Sequence, residues 1–245
     1  MSEQTPLERS ELLPVEFPVP GSGALEDWWP LFSLRLEAGP LTLRPVTDGD
    51  LPALLQCARA GIHPRGLNPF GAVPWSEAPA SDLAKNMLQH IWEARAEARP
   101  DQWRIHFGVW EHQPDSAPAL IGMMDLGARH FAQTRTVSTG SWLRYDAQGR
   151  GLGTLARSIV LVLAFDHFGA LAATTDCASW NQSSAAVSLA LGYQHNGVEV
   201  EAWGRTAEVV LRFRLDAREF TRPETEVIAT GVEASRQLLG IRDET

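Results

Sequence analysis

Lysine is almost missing from this chain: of its 21 basic residues only Lys85 is a lysine. That leaves no lysine for a Schiff base or a phosphate loop in the central region, and it makes arginine the expected contact for phosphates and carboxylates. Cysteine is scarce as well. Cys57 and Cys177 lie far apart with neither CxxC nor Cys/His spacing, so neither a zinc site nor a disulfide framework is expected, and a reducing cytoplasm suits the chain. Long apolar runs are absent. The longest, Ile159 to Phe165, has seven residues, against the roughly 20 that a membrane-spanning helix needs. The opening MSEQTPLERSELLP has neither the basic cluster nor the apolar core of a secretion signal, so export is not expected. Positive charge is in deficit, with a formal net charge of −9, which removes any general attraction to nucleic acid or anionic membrane.

What remains is a chain of 245 residues, 44% of them hydrophobic, enough for one large domain or two small ones. Residues 1–40 carry six prolines and no sustained period, and read as a mostly irregular arm docked through Trp28, Trp29 and Phe32. Leu41 to Arg44 alternates as a strand, and Asp48 or Asp50 caps a helix over Leu51 to Ala60. Gly61 to Pro79 holds four prolines and three glycines and reads as a structured, pocket-shaping loop with His63, Arg65, Phe70 and Trp75. Ser81 caps a helix over Asp82 to Arg99, whose Leu83, Met87, Leu88, Ile91 and Trp92 form one apolar face. Trp103 to Glu111 and Ala119 to Leu126 make a hairpin, followed by a strand over Thr136 to Tyr145. A helix over Leu155 to Phe168, a strand over Leu171 to Cys177, a helix over Ser183 to Leu191 and a strand over Glu208 to Leu215 complete an α/β domain at 41–216. The extension 217–245 ends in a short helix at Val232 to Leu239. The hairpins imply a mixed sheet.

The most informative stretch is Gln148-Gly149-Arg150-Gly151-Leu152-Gly153-Thr154, lying between a strand and an apolar helix. Alternating glycines let successive backbone N–H groups face one point, and the helix dipole adds about half a positive charge there. A pyrophosphate is the natural guest, with Arg150 and Arg157 as supplementary cations. A Walker loop needs Gly-Lys-Ser/Thr and a dinucleotide fingerprint needs GxGxxG, and neither is present.

Gln148, Gly151 and Gly153 instead match the Gln/Arg-x-x-Gly-x-Gly/Ala signature of the GNAT superfamily of N-acetyltransferases. GSWLRYDAQGRGLGT, FDHFGA, Asn181-x-x-Ser184 and Leu191-Gly192-Tyr193 extend the resemblance to the branch containing RimJ and RimL, and to actinobacterial acetyl- and succinyltransferases. The resemblance implies a mostly antiparallel twisted sheet, splayed at a coenzyme A groove and flanked by helices. It implies acetyl-CoA, or succinyl-CoA, as acyl donor and an unidentified primary amine as acceptor, attacked directly in a ternary complex. Homodimers occur in this branch, though no symmetric interface is identifiable here. Donor contacts are expected from the backbone of Leu143 and Tyr145 and the amides of Gln148, Gly149, Arg150, Gly151, Leu152, Gly153 and Thr154. Asn181 and Ser184 follow as contacts to the pantetheine arm, Asn181 serving equally as a helix cap.

Two departures stand out. Ser188 falls where many relatives carry a tyrosine that protonates the leaving thiolate, and serine is a poor acid. Ser138 and Thr139 stand where related enzymes carry a strand carboxylate, which leaves Asp125 as the nearest base, with His130 as another titratable neighbour. The base matters more for a lysine acceptor, of pKa about 10.4, than for an α-amine near 7.7. Without either group, an acyl-CoA-binding module that does not turn over is the rival reading, and a bare turn with no coenzyme affinity is a third.

Overall fold

Trp103, Ile105, Phe107 and Val109 alternate along one strand, and all four are buried on the same face of the sheet built around it. The computed structural model describes residues 24–242 apart from 68, 72–74 and 204–205. The first 23 residues of the expected arm lie outside that range. The strands are β1 (Arg35–Ala38), β2 (Leu41–Pro45), β3 (Gln102–Glu111), β4 (Ala119–Arg129), β5 (Thr136–Leu143), β6 (Ala172–Ala178), β7 (Gln194–Trp203), β8 (Thr206–Asp216) and β9 (Ile228–Thr230). The helices are α1 (Leu25–Trp28), α2 (Leu51–Arg59), α3 (Ala80–Ala96), α4 (Phe131–Thr134), α5 (Leu152–Val162), α6 (Gln182–Ala190) and α7 (Val232–Leu238).

The strands form one mixed sheet in the order β7-β8-β6-β5-β4-β3-β2-β1-β9, with β5 and β6 parallel and every other neighbour antiparallel. Helices cover both faces. On one side α2 and α3 press Leu54, Leu83, Met87 and Ile91 against Met123 and Trp142. On the other, α5 is buried at every position from Ala156 to Val162. A helix apolar nearly all round needs cover on its outer side too. Here the core that holds α5 also takes in Leu31 and Leu34 from the N-terminal segment and Leu239 and Ile241 from the C-terminal one.

Those two segments are more ordered than their composition suggests. The arm, expected to be irregular, places Leu34 and Leu36 at full burial and adds β1 beyond β2 through the turn at Gly39 and Pro40. The extension then adds β9 beyond β1. Such short strands are held by neighbours rather than by their own pattern. β7 is a further addition to the expected elements: its residues are almost wholly exposed, so no buried face marks it in the sequence. Helix α5 starts three residues earlier than expected, at Leu152, and runs into a π turn at Leu163–His167 before Gly169 ends it in the left-handed region.

Candidate active site

The sheet opens between its two parallel strands. β5 and β6 are paired only at Thr136↔Ala172, Val137↔Ala173 and Ser138↔Thr174. Beyond Ser138, β5 stays with β4 as far as Leu143, whereas β6 follows β8 as far as Ala178. Thr175 spans the start of the gap, donating from Oγ1 to the Thr139 carbonyl at 3.0 Å. Arg144 donates its N–H back to Ile121 on β4, so the alternation of an antiparallel ladder turns the polar groups of Leu143 toward the gap.

At the mouth of this gap lies the glycine loop. Gly149 and Gly151 have φ of 70° and 78°, a region in which a side chain is strained. A Cβ built on either would meet nothing within 4 Å, so space lies in front of both. The amides of Gly149, Arg150, Gly151, Leu152, Gly153 and Thr154 make no hydrogen bond of ordinary geometry to the described residues; the first intrahelical bond is Leu155 N–H to the Gly151 carbonyl at 3.0 Å. Free N–H groups facing open space at a helix N-terminus have the geometry of an anion cradle. Two expected amides are not part of it. Tyr145 donates to the Gly61 carbonyl at 2.9 Å and Gln148 to the Tyr145 carbonyl at 3.2 Å.

Gln148 acts instead through its side chain. Its Nε2 donates to the carbonyls of Ile62 at 2.7 Å and Leu143 at 2.8 Å, which ties the loop to the strand end and to the segment after α2. The two supplementary cations are also engaged elsewhere. Arg150 forms a two-pronged ion pair with Glu111, whose side chain is buried at the end of β3. Arg157 turns inward: it is 3% exposed and donates to Ser188 Oγ at 2.9 Å and to Ser141 Oγ at 3.3 Å. A sequence places both near the loop, but only packing decides that one meets a carboxylate and the other enters the gap.

Helix α6 forms the outer wall on that side. Asn181 caps it, its Oδ1 accepting from the Ser184 N–H at 3.2 Å, so the structural half of its expected role is directly visible. Ser188 is 1% exposed and donates to the Ser184 carbonyl at 3.0 Å. Tyr193 lies deeper, its hydroxyl 3.3 Å from Thr139 Oγ1, and burial pushes its pKa up.

Across the sheet the opening faces a different set of groups. Asp125 stands over Gly140, where an added Cβ would fall 2.8 Å from its Oδ1, and its carboxylate is held by Arg104. A carboxylate so paired is a poor acceptor of a substrate proton, which weakens the base role expected of Asp125. Asp176, which sequence reasoning missed, follows Thr174 by two on β6 and shares its face. Its side chain reaches solvent, none of its oxygens has a hydrogen-bond partner among the described residues, and partial desolvation of the carboxylate, partly offset by Arg212, holds its pKa above the usual aspartate range. His130 lies apart, exposed at the corner after β4. His63, Phe70, Trp75 and Trp142 form a ladder with ring centroids 5.8, 5.2 and 5.9 Å apart, so the expected aromatic wall reaches β5 itself. A cavity of about 500 Å³ between α3 and the sheet is lined by His90, Glu93, Arg104, Ser138 and Thr174, and so abuts the pair that closes the gap. Among the described residues no cluster of three or more His, Cys, Asp or Glu side chains is placed to hold a metal. No helix among them is long and apolar enough to cross a membrane.

An opening of this shape suits an extended carrier that ends in a strong anion. The sequence profile described as Acetyltransferase (GNAT) domain matches residues 40–194, well over half the chain, and the chain belongs to that family of acetyltransferases. Solved structures agree on the fold. Mycobacterium smegmatis RimJ in complex with CoA-disulfide is 20% identical with a TM-score of 0.62, covering 78% of this chain and 90% of its own. RimL, the ribosomal L7/L12 α-N-protein acetyltransferase, in complex with coenzyme A, is 16% identical with a TM-score of 0.57, over 74% and 98%. Spermidine N-acetyltransferase from Vibrio cholerae, in complex with CoA and spermine, is 19% identical with a TM-score of 0.55, over 74% and 97%.

Proposed function

We propose that this chain is an N-acyltransferase that passes an acetyl group from acetyl-CoA to a primary amine by direct attack in a ternary complex. The observation that carries this reading is the row of unpartnered amides from Gly149 to Thr154 at the mouth of the β5–β6 gap. Those amides would hold the diphosphate, and the backbone of Leu143 would hold the pantetheine arm as it enters the gap. The acceptor amine would approach from the face of Asp176, Asp125 and the aromatic ladder.

Positioning supplies much of the rate in such a reaction, because it turns an encounter of two molecules into a step within one complex. The remaining demand is a proton acceptor. At pH 7 a lysine amine costs about 4 to 5 kcal/mol to deprotonate, and an α-amine about 1. Asp176 takes this role in preference to Asp125, since its carboxylate has no hydrogen-bond partner among the described residues whereas Asp125 is held by Arg104, and its pKa lies above the usual aspartate range. The reading also keeps the cytoplasmic location expected from two widely spaced cysteines.

Mass spectrometry of the purified protein with acetyl-CoA, succinyl-CoA and a panel of peptides and polyamines tests the proposal. A mass gain of one acetyl group on an amine is the expected result. Saturable CoA binding with no transfer to any amine would favour a binding module, and no CoA binding would remove the reading.

A further inference from the structure

Granted the acyl-transfer reading above, one buried group stands without a task. Arg157 lies five residues into α5, about 7.5 Å along the axis from the cradle, and its side chain fills the space between β5 and α6. Two of its nitrogens donate to the hydroxyls of Ser141 and Ser188, and its Nε is buried with no partner. The titratable groups around it are Tyr193, Asp125, Cys177 and Asp176. Asp125 is taken by Arg104, Asp125 and Asp176 stand on the opposite face of the sheet, and burial keeps Tyr193 and Cys177 neutral.

A buried cation without a counter-ion costs several kcal/mol, and an apolar side chain of similar length usually serves a core better. The flanking residues Ala156, Ser158 and Ile159 are all buried, so nothing local calls for charge. The unmet demand is for negative charge arriving inside the gap. An acetyl thioester is neutral when it binds, and charge appears there only as the bond to sulfur breaks. The position expected to donate a proton at that moment is Ser188, whose hydroxyl already donates to the Ser184 carbonyl.

We propose that Arg157 stabilises the negative charge that develops on the coenzyme sulfur, in place of a proton-donating tyrosine. In that step the amine nitrogen forms a bond to the acyl carbon, the carbon–sulfur bond breaks, and sulfur leaves with the bonding pair as a thiolate. The proton lost by the amine passes to Asp176 and on to solvent, and nothing is oxidised or reduced. A donor fixed before the reaction, in a site closed to water, favours the transition state over the neutral ground state. Ser141 and Ser188 act as positioning residues that hold the guanidinium plane.

The test is the pKa of the thiol of coenzyme A bound to the protein, followed by thiolate absorbance in the ultraviolet, in wild type, R157M and R157K. In wild type the bound thiol should titrate about one unit or more below free coenzyme A. R157M should return it to or above the free value, lower kcat about 100-fold, and leave KM for acetyl-CoA within about threefold. R157K should keep part of both effects. A wild-type thiol that titrates like free coenzyme A overturns the proposal without any variant, as does R157M with kcat within threefold of wild type. A loss in R157M confined to succinyl-CoA, with the thiol pKa unmoved, makes Arg157 a reader of the acyl tail and also overturns it. Failure of wild type to bind coenzyme A at all strikes the acyl-transfer reading itself. Should circular dichroism show R157M unfolded, the wild-type titration and R157K still decide.

Discussion

Replacing Gly151 by aspartate separates the cradle from the fold. Gly151 has φ of 78°, and a Cβ there meets no atom within 4 Å, so the new side chain enters open space. Holding a non-glycine residue in this region costs about 1 kcal/mol, a fall in Tm of about 2–4 °C for a domain of this size. The effect on binding is much larger. A carboxylate about 4 Å from a bound phosphate charge is repelled by about 4 kcal/mol at an effective dielectric constant near 20, or roughly a thousandfold in Kd. Gly151→Ala carries the same strain without the charge and should weaken binding less than about tenfold. Calorimetry of coenzyme A with wild type and both variants, beside thermal melts, reads each quantity. The gap between the variants should narrow with added salt, because screening acts on the charge alone. A folded Gly151→Asp protein with Kd within threefold of wild type would refute the seating of a diphosphate on these amides.

Three further outcomes are expected. Gln148→Ala removes two hydrogen bonds that join Ile62 and Leu143 to the loop, which should cost about 1 kcal/mol each and weaken coenzyme A binding; an unchanged melt and Kd would show the clamp to be idle. Asp176→Asn should slow transfer to a lysine acceptor far more than to an α-amine. Since activity needs the carboxylate and its pKa is raised, the acid limb of the wild-type rate profile should lie above the range of an ordinary aspartate and disappear in the variant. His106 is buried against His90 with both ring nitrogens unpartnered, and burial pushes its pKa down to about 4. Because the unfolded chain takes the proton near the ordinary value of about 6.5, stability is lost as pH falls below that value and the loss is complete once pH passes the folded pKa, amounting to about 3 kcal/mol. His106→Leu should flatten this dependence in thermal melts at pH 7 and pH 5, and an unchanged slope would clear His106.

Much of the proposed donor half of the site is legible in the residues alone. The glycines, the start of α5 and the Asn181 cap depend on φ preference and on unsatisfied helix-end groups, which a few neighbouring residues decide. The same locality explains where the packing departs from the expected contacts. Tyr145 and Gln148 sit inside the motif, yet their amides are spent on Gly61 and on the turn itself, and the value of Gln148 lies in a side chain that reaches Ile62, 86 positions away. Asp125 is the base that sequence proximity to β5 suggests. Its pairing with Arg104 across the β3–β4 ladder, and the rise of Asp176 on β6 beside the same gap, come from strand order.

By itself the sequence determined the lack of a long apolar helix, the order of most strands and helices, the glycine loop before α5 and the family signature, because each is written in local periodicity or in consecutive residues. Tertiary structure decided the edges and the interior: β9 exists through pairing with the distant β1, β7 pairs with its neighbour β8 without a buried face to mark it, and the gap exists because β5 and β6 keep different company beyond Ser138 and Thr174. The turning of Arg157 away from the loop and into the interior belongs to the same class. Burial, pairing and the charge balance of a cavity are sums over residues far apart in the chain, and no window of neighbouring residues contains them.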